Sequence, residues 1–262
     1  MIWRVWTAYS VEVTKAARLK RTYLGPLLIL VLIGCATLGH PVSRDGVSDY
    51  AFIAYVNPVA LGFLGFLTVL VYCGVLVSAE LSSGSIRLAL LRPIHRHEYI
   101  AAKVLIAFSY VILTVLAAVV GSWGLVFALG DLSGVSYGGE LLYTRESMMI
   151  AYGVGISLAL VPQLAGAAFA VMVSTLTRSM VGALLFVSGA WVLVDMVKYP
   201  LGIERFVFTT YLEAPLQVFA SRCDAVEVPW FPMTWYCLGT SVPVIIVSGA
   251  VAMFALHRRN LS

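Results

Sequence analysis

Six long blocks of apolar residues, separated by shorter polar and charged segments, organise this chain. Uncharged runs cover residues 23–39, 58–79, 104–130, 147–177, 179–194 and 228–256. A helix needs about 20 apolar residues to cross the hydrocarbon core of a bilayer. The runs therefore predict six spans, near residues 23–41, 58–79, 100–129, 149–173, 180–197 and 234–256. An even number of spans places both termini on one side. Residues 1–22 follow another pattern. At helical spacing Ile2, Val5, Trp6, Tyr9, Val13, Ala16 and Ala17 share one face, with Arg4, Lys15 and Arg18 opposite. This predicts an amphipathic helix in the membrane interface, with Trp3, Trp6 and Tyr9 at headgroup depth and Arg18 on a basic face suited to anionic lipid or an acidic partner. The alternative is a solvated tail.

Composition agrees with the pattern. Hydrophobic residues make up 61% of the 262 positions and charged residues 11%, against about 25% charged in a soluble domain. So few charges cannot cover a water-soluble globule, and the fold class is an all-α integral membrane protein. Orientation follows from Lys and Arg. With the N-terminus in the cytoplasm, twelve basic residues fall inside and Arg44, Arg145, Lys198, Arg205 and Arg222 fall outside. Both termini are expected to face the cytoplasm. There is no compact basic run with interleaved aromatics, so nucleic acid is not an expected partner. Leu32-Ile33-Gly34-Cys35 has the form of a lipobox, but about 22 residues precede the apolar run, longer than a secretory leader's first region. The first span is retained.

The segment 80–99 after the second span carries the most information. Ser82 or Ser83 can cap a short helix, and Pro93 stops it. Ile86, Leu90 and Leu91 form one side, with Arg87 elsewhere on its surface. A short helix that is apolar on one side and basic on another suits docking onto a second protein; a solvated turn that enforces topology is the other reading.

Glu80, Ser83-Gly84-Ser85, Leu90-Leu91, Pro93 and His95-Arg96, with Lys103 in the next span, resemble the E…SGT…LL…P…R…K pattern of type 2 ATP-binding-cassette exporter permeases. The tail Phe254-Ala255-Leu256-His257-Arg258-Arg259-Asn260-Leu261 is similar to the F-x-x-[KR]-[KR]-D-[IL] ending common there, with Asn260 in place of the acid. Ser85 replaces the usual Thr and His95 the usual Ser. The resemblance covers the whole chain, including the interfacial helix and the insertion 198–233. It implies a single permease domain, working with a second permease subunit, identical or homologous, and two cytosolic ATPase subunits in a prokaryotic plasma membrane. It assigns the docking to Glu80, Ser82, Ser83, Gly84, Ser85, Arg87, Arg92, Pro93, His95 and Arg96. It also implies a pathway lined by the second and fifth spans and capped by short helices from the insertion, where Phe208, Tyr211, Leu212, Leu216 and Phe219 can form one apolar side.

Asp195, the only charge inside the apolar blocks, is a candidate pathway residue; pairing with Lys198 at i,i+3 is the other reading. Gln163 after Pro162 offers a buried amide toward a pathway, or marks an ordinary packing kink. Cys223 and Cys237 lie toward the outer, oxidising side and are expected as free thiols, with a disulfide between them as the other reading. The sequence has no phosphate loop of the form G-x-x-x-x-G-K-[ST] and no metal-binding spacing of His or Cys. ATP and Mg are thus expected only in the partner ATPase, with no cofactor or metal here. An ion-coupled secondary transporter or channel, and a membrane anchor or assembly factor, are the alternatives in other classes.

Overall fold

The computed structural model describes residues 2–40, 42, 48–85, 95–130, 132, 134–137 and 140–258. A helix over Ile2–Arg18 precedes six helical segments of membrane length. These are Lys20–Gly39, Tyr50–Ser82, Arg96–Leu129, Arg145–Leu176, Met180–Lys198 and Phe231–Arg258, referred to below as the first to sixth spans. Among the described residues the sheet is one antiparallel hairpin, Gly134–Tyr137 with Glu140–Thr144, between the third and fourth spans. The hairpin was not expected from the sequence, where its few residues lie between much stronger apolar runs.

The second and fourth spans form the interior, with 67% and 56% of their most apolar windows buried against 11% for the fifth. The second span begins at Tyr50, eight residues before the expected start. Pro58, where the expected span starts, lies inside the helix. Seven residues of π-helix, Val59–Gly65, follow it, then Phe66–Val75 in α-helix, a break at Leu76 and Val77, and a last turn over Ser78–Ser82. Such irregularity is tolerated in a membrane only where other groups meet the loosened backbone.

The fourth span supplies them. Gln163 Nε2 donates to the Leu61 carbonyl of the π-segment at 2.7 Å. The Ser174 hydroxyl accepts from the amides of Val77 and Ser78 at 3.0 and 2.9 Å, spanning the break. Asn57 Nδ2 donates to Tyr152 Oη at 3.0 Å and to Ser122 Oγ of the third span at 3.2 Å. Gly166 lets the two helices approach, since a Cβ there would lie 2.2 Å from the Phe66 ring. The fourth span has its own proline. Pro162 lacks the N–H that would bond the Leu158 carbonyl four residues earlier, and Cys237 Sγ of the sixth span donates to that carbonyl at 3.5 Å.

At the end opposite the termini, the segment after the fifth span makes two short 3-10 turns, Glu204–Phe206 and Phe208–Leu212, and then a helix, Ala214–Cys223. Tyr211, Leu212, Leu216 and Phe219 are buried against the bundle, as their apolar pattern predicts, and Phe208 is half-buried. Cys223 and Cys237 are free thiols.

Candidate functional site: a charge cluster at the end carrying the termini

The N-terminal helix packs along the third span on a stripe formed by Val5, Ala8, Tyr9, Glu12 and Ala16. Tyr9 Oη and Ser109 Oγ share a hydrogen bond of 2.7 Å. The same stripe brings Glu12 to Lys103, which lies one turn into the apolar part of the third span and is 1% exposed. A lysine this deep requires carboxylates, because an unpaired buried charge is costly. It has two, with Nζ 2.7 Å from Glu12 Oε2 and 2.7 Å from Glu80 Oε1. Tyr99, one turn before Lys103, donates from Oη to Glu80 Oε2 at 2.5 Å, and its ring lies 5.3 Å from the Lys103 amine. Lys15 completes the group, at 2.9 Å from Glu12 and 3.5 Å from Glu80. Burial works against the Lys15 charge, but the two carboxylates hold its amine above its ordinary value. Two acids and two bases leave the cluster with no net charge.

The cluster joins three elements far apart in sequence: the N-terminal helix, the end of the second span and the start of the third. Glu80 is thus paired and hydrogen-bonded within the chain, as a carboxylate at the membrane boundary requires. Glu12 and Tyr99 were not singled out in the sequence, and Lys15 was read only as part of the basic face of the N-terminal helix. The available signal was Lys103 at the start of an apolar run, where a buried cation demands an acid from elsewhere.

The remaining candidates separate by position. The Ser82 and Ser83 hydroxyls donate back to the carbonyls of Ala79 and Glu80, at 3.1 and 3.4 Å, and so close the helix before them. Gly84 takes a positive φ of 72°, and Ser85 Oγ lies 2.9 Å from Ser83 Oγ. Arg87, Arg92 and Pro93 lie outside the described residues. His95 is the N-cap of the third span in a capping box: its amide donates to Glu98 Oε2 at 3.0 Å, and its side chain accepts from the backbone three residues on. Arg96 donates from Nη1 to the carbonyls of Leu256 and His257, each at 3.0 Å, fastening the end of the sixth span beside the cluster. Trp3 and Trp6 are 79% and 60% exposed, and Arg18 is exposed.

The two pathway candidates are both engaged within the chain. Asp195 pairs with Lys198, as the i,i+3 spacing allows, and accepts from Thr209 Oγ1 at 3.3 Å. The cost of keeping Lys198 4% exposed is offset by this carboxylate and by the Tyr199 ring at 4.9 Å. Gln163 is 1% exposed and holds the π-segment. Nearby, Glu213 lies against Gly62 of that segment, and burial raises its carboxyl above the ordinary value despite the opposing pull of Lys198. Among the described residues no group of three His, Cys, Asp or Glu is placed to hold a metal ion.

Six membrane-length helices, packed about a buried, irregular second span stapled by polar side chains, define a multi-pass membrane protein of the permease type. Residues 9–190 match the family described as ABC-2 family transporter protein, and the chain belongs to that family. The matched region takes in every member of the charge cluster and both interior spans, and stops before the insertion and the sixth span. No curated protein matches the chain.

Proposed function

We propose that this chain is the membrane subunit of an ATP-driven exporter, working with a second permease subunit and two separate ATPase subunits in a prokaryotic plasma membrane. The termini and the charge cluster then face the cytosol. The observation that carries this reading is the cluster of Glu12, Lys15, Glu80, Tyr99 and Lys103. It ties the N-terminal helix to the roots of two spans, immediately beside the segment 82–96 that bears the docking residues. Force applied to that segment by closing ATPases is passed through Glu80 to the second span and through Lys103 to the third. A lone solvated turn would have no such fastening. The second span keeps an exposed apolar stripe of Tyr55, Val59, Phe63 and Val71, and Phe63 lies 5.7 Å from Trp191 of the fifth. This stripe and the fifth span together offer the surface for the second permease subunit and the pathway.

Asp195 and Gln163 act in this reading as structural residues. An ion-coupled mechanism finds little support, because the carboxylate it would use is paired with Lys198. The test is co-purification followed by transport in vesicles. The wild-type chain brings down a subunit carrying a phosphate loop; Arg87→Glu with Arg92→Glu reduces that retention. Glu80→Gln keeps the subunit but lowers transport per ATP hydrolysed. Full transport from an ion gradient with ATP absent would overturn the proposal.

A further inference from the structure

From Phe206 to Ser221 the insertion carries a single charged residue, Glu213. Its neighbours Tyr211, Leu212, Pro215 and Leu216 are buried, so the apolar pattern on both sides draws the acid down onto the bundle. Glu213 is the N-cap of the helix Ala214–Cys223, a position from which a polar side chain usually turns back to the helix amides, yet it makes no such bond. Its side chain lies instead on Gly62 in the π-segment of the second span, where a Cβ would overlap its Cγ and Oε1. Among the described residues no hydrogen-bond donor reaches the carboxyl.

Two ionic groups act on this carboxyl, both from the end of the fifth span: Lys198 attracts its charge and Asp195 opposes it. Lys198 is 4% exposed and already paired with Asp195, whose side chain is 44% exposed and free to turn toward water. The other elements packed here add no counter-charge. The second and sixth spans carry their acids and bases at the opposite end, and Arg145 and Glu146 at the tip of the fourth are exposed. Within the insertion, Glu204 and Arg205 lie in the earlier 3-10 turn, and Arg222 and Asp224 at the far end of the helix. The nearby phenols are engaged elsewhere, Tyr211 with the Arg205 carbonyl and Tyr152 with Asn57. Two carboxylates thus share one buried cation, whereas the cluster at the other end has two of each.

We propose that Glu213 is a proton-operated latch between the insertion and the second span. Neutral, its carboxyl rests on Gly62 and keeps the insertion seated on the π-segment. Ionised, it has no donor there. The proton leaves to solvent, and the carboxylate moves to Lys198, in competition with Asp195, or out into water. Either move takes the side chain off Gly62 and loosens the insertion. The uncharged face of a glycine suits a neutral acid, because burying an unpaired anion costs far more than burying the protonated form. Burial holds the proton on this carboxyl above its ordinary range, so the latch is closed at acid pH and opens as pH rises through the raised value. The proposal is independent of the ATPase reading, since it rests only on contacts at the end opposite the termini.

The test is hydrogen–deuterium exchange of the detergent-purified full chain, read by mass spectrometry over residues 213–223 and corrected for the pH dependence of the chemical exchange rate. Protection of this helix in the wild-type protein falls by about tenfold between about pH 5 and about pH 8, as expected for a proton held about tenfold more tightly in the latched state. Glu213→Gln, a neutral isostere, keeps the acid-pH protection at both values. Asp195→Asn removes the opposing charge and frees Lys198, so the fall moves to lower pH. Glu227→Gln removes an exposed acid of the same insertion and leaves the wild-type profile unchanged. The proposal is overturned if wild-type protection is independent of pH, or if the fall persists in Glu213→Gln. It is also overturned if Asp195→Asn leaves the midpoint of the fall in place, or if Glu227→Gln abolishes the fall.

Discussion

Replacing Lys103 by Met removes the only fully buried cation of the cluster while keeping side-chain length and apolar packing. Glu12 and Glu80 then face each other with Lys15 as their single counter-charge, and Lys15 is 49% exposed with its amine 3.5 Å from Glu80. Removing one partner of a buried ion pair costs about 3–5 kcal/mol. Here the carboxylates keep 12% and 19% exposure, so water relieves part of the penalty, and about 3 kcal/mol is the expected loss. At about 2–4 °C per kcal/mol for a chain of this size, the midpoint of thermal unfolding falls by roughly 6–12 °C. The melt can be followed in detergent with a thiol-reactive fluorophore, because Cys73 and Cys237 are buried and react only on opening, once exposed Cys35 and half-buried Cys223 have been replaced by Ala. The decisive measurement is the double-mutant cycle with Glu80→Gln. Neutralising Glu80 as well removes the excess negative charge, so the double variant is more stable than Lys103→Met alone. If the two losses add to within about 0.5 kcal/mol, the residues do not interact and the cluster is not the joint described above.

Two further outcomes test the interior and the opposite end. Gly166→Ala drives a methyl to 2.2 Å from a Phe66 ring that is itself wedged against Trp191 and Phe208, and lowers stability by about 1–3 kcal/mol. Gly153→Ala, with open space around its Cβ, has no such cost in the same melt. Glu213 binds its proton more tightly folded than unfolded, so its contribution favours the fold at pH below about 4.5 and is lost as pH rises through the raised value. Glu213→Gln therefore raises the melting midpoint at pH 7.5 and has a smaller effect at pH 4.5, and equal shifts at both values would count against a buried carboxylate.

The six spans were legible because hydropathy over some 20 residues is a one-dimensional property, and the fifth span starts at Met180 as its uncharged run suggests, with Ser179 accepting from the Gly182 amide. The pairing of Asp195 with Lys198 was legible for the same reason, since i,i+3 neighbours meet on any helix. The true start of the second span was not. Pro58 is a helix boundary in most settings, and only the fourth span's Gln163 and Ser174 and the shared Asn57–Tyr152 bond make an irregular continuation stable. The charge cluster was half legible. Glu80 and Lys103 stood out as charges beside apolar runs, but their joining, and the recruitment of Glu12 and Tyr99, depend on how the N-terminal helix lies along the third span. No local spacing encodes that.

The hydrogen bonds from the fourth span to the second also bear on how the protein is made. Val77 and Leu61 find their partners 97 and 102 residues further along the chain. At about 5–20 residues per second of translation, the second span leaves the ribosome several seconds or more before Ser174 and Gln163 exist. During that interval its kinked backbone has exposed amides and carbonyls that hydrocarbon cannot satisfy. The irregular form of the second span is therefore expected to appear only when the fourth span packs against it, which insertion of truncated chains ending before and after residue 174 would test. Biogenesis of this protein is in that sense an assembly of helix pairs and not a stepwise threading of single spans.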